Sequence, residues 1–221
     1  PRPVPTWVEL VQVDDTSPLR AIDRDLEPEM VRLVERARDE GETLGGSVTV
    51  VAHAVPAGLG SHVAWDEKLD GRLAQAVMSV PAVKAVEIGA AVAASRGFGS
   101  AAHDAIERDE SGWRRPTNRA GGLEGGVTNG EDVVVTAYKK PISTLRKGLP
   151  SVDLDTLEPH ASQYERSDVT ALPAAGVIAE AMVALVLADA LLEKLGGDSM
   201  AELAAHFAAT LALQRRWPRE E

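Results

Sequence analysis

A chain of 221 residues, 44% hydrophobic and 26% charged, is long enough to bury a substantial core and has the composition of a globular protein. The absence of cysteine excludes disulfides, zinc–thiolate sites and thiol nucleophiles, and it fits a reducing cytoplasm. The formal net charge of −11 argues against a general affinity for nucleic acid or for an anionic membrane. The longest apolar stretch, around 177–195, contains Glu180, Asp189 and Glu193, so no membrane span is expected.

The hydrophobic pattern changes between helical and extended periods along the chain. It predicts, in order, a helix over 26–40 with Asp25 as its cap and Gly41 at its end, a strand over 47–55, a helix over 66–80, strands over 83–88 and 133–138, and helices over 174–195 and from 199 onward. Residues 96–130 and 142–163 lack apolar periodicity and are expected to be irregular. These elements predict an α+β fold in one domain over 1–221, a β-α-β sandwich with helices packed between antiparallel sheets.

The two carboxy-terminal helices differ in their predicted surroundings. The helix over 174–195 is apolar nearly all round, so it is expected to be buried on most sides. Ser199 and Glu202 have the spacing of a capping box and predict the start of the last helix. Its inward side is expected to carry Met200, Leu203, Phe207 and Leu211.

A basic, glycine-rich stretch stands out against the acidic background. Between Arg114 and Lys147 there are seven basic residues and three acidic ones. The loop over 117–130 has five glycines in its last ten residues, which permits positive φ angles and close approach of backbone N–H groups to an anion. No Gly-Lys-Ser/Thr follows, so the loop is not a Walker A loop. A strand rather than a helix comes next, so the loop does not fit the dinucleotide-binding fingerprint either. Glycine content alone leaves a surface loop as an open alternative.

Two further segments have residues suited to a phosphate-bearing ligand. Lys139 and Lys140 leave a predicted strand and are followed by two hydroxyl residues, which suits an anion; a solvated strand end is the alternative. Arg166-Ser167-Asp168 precedes the apolar helix; there the arginine can bind phosphate and the aspartate can hold a proton, unless the pair is purely structural. The five histidines lack metal-ligand spacing, so no metal site is expected. Structural roles are expected for His53 and His206, whereas His103 lies in the arginine-rich loop.

Taken together and in order, these motifs resemble the chorismate synthase family from Asp14 almost to the end of the chain. The resemblance is strongest at Asn-Arg-Ala-Gly-Gly-Leu-Glu-Gly-Gly (118–126) and at Arg-Ser-Asp (166–168). It includes Gly-Glu-Thr-Leu-Gly-Gly (41–46), Pro-Ala-Gly-Leu-Gly-Ser (56–61) and Val-Lys-Ala-Val-Glu-Ile-Gly (83–89). It implies reduced flavin mononucleotide (FMN) as cofactor and Asp168 as an aspartate that assists proton transfer beside the flavin, where a desolvated carboxylate would suit the role. The implied flavin-binding positions are Pro81, Ala82, Gly125, Lys140, Pro141, Ile142, Ser143, Thr144 and Arg166; at Pro81 the family often has Asn or Gln.

The reaction implied by the resemblance is the anti-1,4-elimination of phosphate from 5-enolpyruvylshikimate 3-phosphate, which gives chorismate, the last product of the shikimate pathway. The family also implies a cytoplasmic homotetramer and a role for NADP, and it leaves open whether a separate flavin reductase supplies the reduced flavin. The family's amino-terminal signatures, Gly-Glu-Ser-His-Gly and Ser-Ala-Arg, and its two acid histidines do not occur in these residues. The 221 residues alone are therefore expected to be incomplete and inactive. The alternatives are a non-catalytic module that binds flavin or a phosphorylated metabolite, and a half-domain that serves assembly.

Overall fold

A computed structural model describes residue 5 and residues 7–13, 16–109 and 112–215. In this part of the chain the helices are α1 (Trp7–Leu10), α2 (Glu27–Asp39), α3 (Leu69–Met78), α4 (Ala91–Ala94), α5 (Gly99–Ala102), α6 (Leu172–Leu195) and α7 (Met200–Arg215). The strands are β1 (Gly46–Ala52), β2 (Val83–Ile88), β3 (Glu107–Asp109), β4 (Gly112–Arg114), β5 (Leu123–Glu124), β6 (Val127–Thr128), β7 (Val133–Lys139), β8 (Pro150–Val152) and β9 (Pro159–Ala161). This mixture of helices and small sheets confirms the α+β class.

The largest sheet among the described residues has three strands in the order β1-β7-β2. The central strand β7 carries Val133, Val135 and Ala137, each no more than 1% exposed. A strand with neighbours on both edges and cover on its faces favours small apolar residues, among which valine is β-branched. All three predicted strands are confirmed, although β1 ends at Ala52 rather than at residue 55.

Three antiparallel hairpins complete the described sheets: β3–β4, β5–β6 and β8–β9. They lie within residues 96–130 and 142–163, where only irregular structure was expected. In two of the hairpins, for example, Glu107 pairs with Arg114 and Ser151 pairs with His160, so polar residues face each other across the strands. The described side chains of β3, β4, β8 and β9 are exposed, and β5 and β6 have only two residues each, so none of these strands shows an alternation of apolar and polar residues that sequence could reveal.

Helix α2 is confirmed to within one residue at each end, and Gly41 follows it with φ +71°. The predicted cap is wrong, because the carboxylate of Asp23, not that of Asp25, accepts hydrogen bonds from the N–H groups of Asp25 and Leu26 at 3.1 and 3.2 Å. Glu27 in the first turn is buried. Its pKa is lowered, first by the hydrogen bond from the Ser17 hydroxyl, although burial opposes this.

Helix α6 is less buried than its composition predicted. Its buried residues form one stripe along the helix: Ala175, Ala179, Val183 and Ala190. Other apolar side chains are open to solvent, with Leu185 at 65% and Leu192 at 51% exposure. The prediction that this helix is buried on most sides is therefore wrong. The helix also reaches the length and mean hydropathy, 2.1, of a membrane span, but core helices of soluble proteins reach them too, so this is weak support for a membrane.

Helix α7 begins with one of the two hydrogen bonds of the predicted capping box, because the Glu202 carboxylate bonds to the N–H of Asp198 rather than to that of Ser199. The Glu202 N–H donates to the Ser199 hydroxyl at 3.2 Å, and the Glu202 carboxylate accepts from the Asp198 N–H at 2.6 Å. Met200 was expected to face inward but is 77% exposed, since it occupies the first helical position beside the cap. Three inward positions are confirmed as half-buried: Leu203, Phe207 and Leu211.

The chain divides into two compact units. The first comprises Pro1–Thr49, Met78–Val86 and Thr136–Ala179, and the second comprises Val50–Val77, Glu87–Val135 and Glu180–Glu221. The expectation of a single domain over 1–221 stays a prediction. All the predicted site residues except Gly125 belong to the first unit.

Candidate functional site

The end of β7 is held beside the turn that precedes β2. The Lys140 N–H donates to the carbonyl of Ala82 at 2.9 Å, and the Lys139 ammonium donates to the carbonyl of Pro81 at 2.7 Å. Pro141 has no N–H, so the strand ladder cannot continue through it. The structure thus brings Pro81 and Ala82 to the strand-exit segment, defined as residues 140–144.

Ala82 has an unusual backbone conformation. Its φ is +67°, in the left-handed region that an L-residue other than glycine seldom adopts. Strain of this kind persists only where the surroundings fix the backbone, and it is concentrated at functional sites. At Ala82 the hydrogen bond from the Lys140 N–H helps to fix this conformation, and the role of Ala82 as a cofactor contact stays a prediction.

A second link joins the strand-exit segment to the Arg-Ser-Asp corner, defined as residues 166–168. The hydroxyl of Thr144 makes a short hydrogen bond with the hydroxyl of Ser167. The Ser167 hydroxyl also lies 3.4 Å from the Thr144 carbonyl. Two segments separated by more than twenty residues in the sequence thus meet side by side. Sequence reasoning named Ser167 only as part of a motif, not as this connection.

The charged side chains of these two segments are available to a ligand. Lys140, Arg166 and Asp168 are all exposed, and the described residues give none of the three side chains a hydrogen bond or an ion pair. By contrast, Lys147 nearby forms an ion pair with Glu42. Exposed cations that have no acidic partner among the described residues, in segments that also carry hydroxyl groups, suit an anionic group such as phosphate. The desolvation expected for Asp168 is not provided by this chain's described residues alone.

An open hollow of about 460 Å³ lies on the first unit at the same strand end. Its lining includes Lys84, Lys139, Lys140 and Tyr138, together with the start of β1 at Gly46. The hollow shows that the side of the sheet next to the strand-exit segment is accessible. Its cationic lining adds to the positive charge there.

Gly125 lies in the second unit, at the tip of the hairpin β5–β6. Leu123 pairs with Thr128 and Glu124 with Val127, so Gly125 and Gly126 form a two-residue turn with φ +65° and +92°. Positive φ at both positions is the signature of a type I′ turn. A Cβ at Gly125 would meet nothing within 4 Å, so its backbone is open to a ligand. Its proximity to the other predicted contacts stays a prediction.

The glycine-rich stretch before this hairpin is held by specific hydrogen bonds rather than forming an open surface loop. One carboxylate oxygen of Asp104 accepts from the Thr117 hydroxyl at 2.6 Å and the Arg119 N–H at 2.8 Å, and the other accepts from the Ala120 N–H at 2.8 Å. Burial raises the pKa of Asp104, but these hydrogen bonds and the Arg119 charge outweigh burial and hold it below its usual range. Sequence reasoning missed Asp104, because an isolated Asp gives no signal of distant partners.

Neighbouring side chains and backbone fix the same stretch. The Asn118 amide donates to the Asp132 carbonyl at 2.8 Å and accepts from the Gly122 N–H at 2.7 Å. A Cβ at Gly121 would lie 2.4 Å from the nitrogen of Gly89, so this close backbone contact requires glycine. The motif at 118–122 is therefore a packed structural element of the second unit.

Two of the five histidines make side-chain contacts with defined partners. His53 Nδ1 lies 2.8 Å from the Asp132 carboxylate, and His206 Nδ1 lies 2.8 Å from the Leu195 carbonyl. These contacts agree with the structural roles expected for both. Over the residues that the structure describes, no group of three or more His, Asp or Glu side chains could hold a metal ion.

The geometry of these motifs agrees with the result of a family comparison. The family model described as chorismate synthase matches residues 5–192. The chain belongs to the chorismate synthase family. The chorismate synthase of Moorella thermoacetica is 56% identical over 194 residues, which cover 87% of this chain and 51% of that protein. That of Solibacter usitatus is 52% identical over 206 residues, 91% of this chain and 53% of the relative.

A solved structure supports the same family assignment. A crystal structure of chorismate synthase matches with a TM-score of 0.79 and 40% sequence identity, over 96% of this chain and 56% of that one. The chain spans about half the length of the curated relatives it matches, and it corresponds to their carboxy-terminal half. The α+β fold of the chorismate synthase family is thereby shown for this chain.

Proposed function

We propose that this chain provides the carboxy-terminal half of a chorismate synthase, which eliminates phosphate from 5-enolpyruvylshikimate 3-phosphate to form chorismate. Family membership at 50–56% identity to chorismate synthases supports the reaction. The observation that carries the site is the contact between Thr144 and Ser167, which brings the strand-exit segment and the Arg-Ser-Asp corner together.

The residues present fit the phosphate of FMN. Lys140 and Arg166 provide positive charge, Ser143 and Thr144 provide hydroxyl groups, and the strained backbone at Ala82 lies against Lys140. Phosphate is bound best by such charge-assisted hydrogen bonds, and arginine can bind it in a bidentate manner. These residues, with Pro81, Pro141 and Ile142 contributing backbone or apolar contacts, would hold the cofactor. Reduced FMN, when bound, supplies transient electron density to the elimination and is recovered at its end.

In the overall reaction one C–O bond to phosphate breaks and one ring proton leaves. Asp168 is the residue of this chain assigned to proton movement, since its carboxylate has no partner among the described residues and follows Arg166 by two positions. The carboxylate accepts or returns a single proton beside the bound cofactor. Lys140 and Arg166 bind and orient, and they take no part in proton transfer.

The proposal extends to assembly and location. The chain acts in a cytoplasmic homotetramer, supplied with reduced flavin by a reductase linked to NADP. Exposed apolar side chains on α6, such as Val177 and Leu185, suit burial in a larger assembly rather than lasting exposure to water. A polypeptide of these 221 residues alone is proposed to have no chorismate synthase activity.

Co-expression of these residues with the amino-terminal half of a family member, followed by titration with reduced FMN and an assay for chorismate, tests the function. The complete assembly is expected to bind the flavin and form chorismate. Asp168→Asn is expected to lower kcat at least about 100-fold with flavin affinity unchanged, as for loss of an acid–base group. An assembly that binds no flavin and makes no chorismate would refute the proposed function. Unchanged kcat in Asp168→Asn would remove Asp168 from the mechanism.

The non-catalytic alternatives are not favoured, because the matched relatives are chorismate synthases over most of this chain. A module that only binds flavin would show saturable binding and no product in the same assay. A half-domain that serves assembly alone would show a defined oligomer with no response to flavin.

A further inference from the structure

The segment Gly-Glu-Thr-Leu-Gly-Gly at 41–46 matches the family, but the proposed function gives it no role. In the first unit it runs between the two parts of the candidate site. The Thr43 hydroxyl donates to the carbonyl of Ile142 at 2.5 Å. The N–H of the next residue, Leu44, donates to the carbonyl of Val169 at 2.8 Å. Adjacent residues thus contact the strand-exit segment and the residue that follows the Arg-Ser-Asp corner.

Thr43 is an unusual place for a polar side chain, because only 9% of the residue is exposed. A buried hydroxyl needs a hydrogen-bond partner, and leaving either partner unpaired is unfavourable. Ile142 lies beyond the end of β7 at Lys139, so its carbonyl is outside the strand ladder. The Thr43 hydroxyl therefore fixes a part of the backbone that the sheet does not fix.

The backbone at Gly45 makes the contact still closer. A Cβ at Gly45 would lie 2.4 Å from the carbonyl oxygen of Lys139 and 2.8 Å from the nitrogen of Pro141. Only glycine permits this approach, since real Cβ atoms do not come so near to backbone atoms. Residues 43–45 thus contact the backbone at Lys139 and Pro141, the carbonyl of Ile142, and the carbonyl of Val169 next to the Arg-Ser-Asp corner.

We propose that Thr43 and Leu44 are positioning residues of the flavin site. They hold the strand-exit segment and the Arg-Ser-Asp corner in one fixed arrangement, so that Lys140 and Arg166 address the same phosphate. Neither residue touches the ligand. The inference rests on the proposed function for the identity of the ligand, but the mechanical link stands on the two hydrogen bonds alone.

The test uses the assembly with the amino-terminal half of a family member, with each of three substitutions made separately. Thr43→Val removes the hydroxyl at nearly constant volume, and Thr43→Ser keeps it. Thr49→Val is the control. It removes, from the same unit, a hydroxyl whose one side-chain partner in the described part of the chain is the Thr136 hydroxyl, at 2.9 Å. The two readouts are the Kd for reduced FMN and amide hydrogen exchange over 140–144 and 166–170.

Thr43→Val is expected to raise the Kd about tenfold, as for loss of one hydrogen bond of ordinary strength. It is also expected to speed exchange in both segments, whereas Thr43→Ser and Thr49→Val leave both readouts near wild type. An unchanged Kd in Thr43→Val, an equal effect of Thr49→Val, or failure of Thr43→Ser to restore affinity would overturn the inference.

The two proposals fail in different ways. A wild-type assembly that binds no flavin refutes the proposed function. The exchange rates then test by themselves whether Thr43 and Leu44 hold the strand-exit segment and the Arg-Ser-Asp corner together. Faster exchange of both segments in Thr43→Val upholds the link without flavin. Exchange that stays at the wild-type rate in either segment refutes it, whatever the flavin result.

Discussion

The Lys140 N–H donates a 2.9 Å hydrogen bond to the carbonyl of Ala82, whose own φ is +67°. The bond fixes a strained turn against the exit of β7, so the conformation of Ala82 and the position of Lys140 depend on each other. Strain that is held in this way is typical of sites where backbone must face a ligand.

Substitution of Ala82 tests that dependence. Ala82→Gly relieves about 1 kcal/mol of left-handed strain, but the freer unfolded chain offsets most of it, so stability should hardly change. Ala82→Val puts a β-branched side chain into the same conformation and is expected to lower the free energy of unfolding by about 2 kcal/mol. Urea unfolding of both variants measures the difference. Equal stabilities would show that the turn is not constrained.

Removal of the Arg166 guanidinium is expected to weaken flavin binding selectively. A charge-assisted hydrogen bond is worth about 1.5–3 kcal/mol, so Arg166→Ala should raise the Kd for reduced FMN by about 10- to 100-fold. Arg36→Ala is the control, since Arg36 is exposed on α2 in the same unit and pairs only loosely with Glu40 at 3.8 Å. If both variants bind flavin like wild type, Arg166 has no part in the site.

Two glycines of the first unit should respond to alanine in opposite directions. Gly45→Ala forces the backbone away from Lys139, since the new Cβ would lie 2.4 Å from its carbonyl oxygen; we expect loss of stability and of flavin affinity together. Gly176 lies within α6, and its Cβ would meet Val48 at an ordinary 3.9 Å. Gly176→Ala should therefore stabilise by about 0.5–1 kcal/mol, as for helix interiors. Thermal unfolding that ranks the two variants the other way would contradict both contact assignments.

Acid should abolish the contribution of Asp104. Because its pKa is lower in the folded protein than the ordinary 3.8, ionised Asp104 stabilises the fold fully above that value, and the stabilisation is lost as pH falls through the lowered pKa. Asp104→Asn should thus be less stable than wild type at pH 7, with a gap that narrows below about pH 3.8. Denaturant unfolding of both proteins at pH 7 and at about pH 3 measures the gap. A gap that is the same at both values would show that the Asp104 charge does not matter.

Sequence patterns were sufficient where a residue's neighbours along the chain decide its state. The strand β2 was predicted to the residue, and α2 and β7 to within one residue, because their apolar spacing is regular. The hairpins β3–β4 and β8–β9 were missed, since pairing of short exposed strands depends on the partner strand rather than on periodicity. The burial of α6 was overestimated for a related reason. An apolar composition indicates that a helix is stabilised by burial, but only the tertiary structure shows how much of its surface other residues bury.

The sequence by itself determined the order of the elements, the family and the residue types suited to an anion, because local periodicity and motif order are properties of the chain. Only the tertiary structure decided that Thr144 meets Ser167, that Asp104 holds the glycine-rich stretch, and that Thr43 and Leu44 contact both parts of the site. These contacts join residues far apart along the chain. Their geometry follows from how packed strands and loops satisfy buried polar groups, which no local pattern encodes.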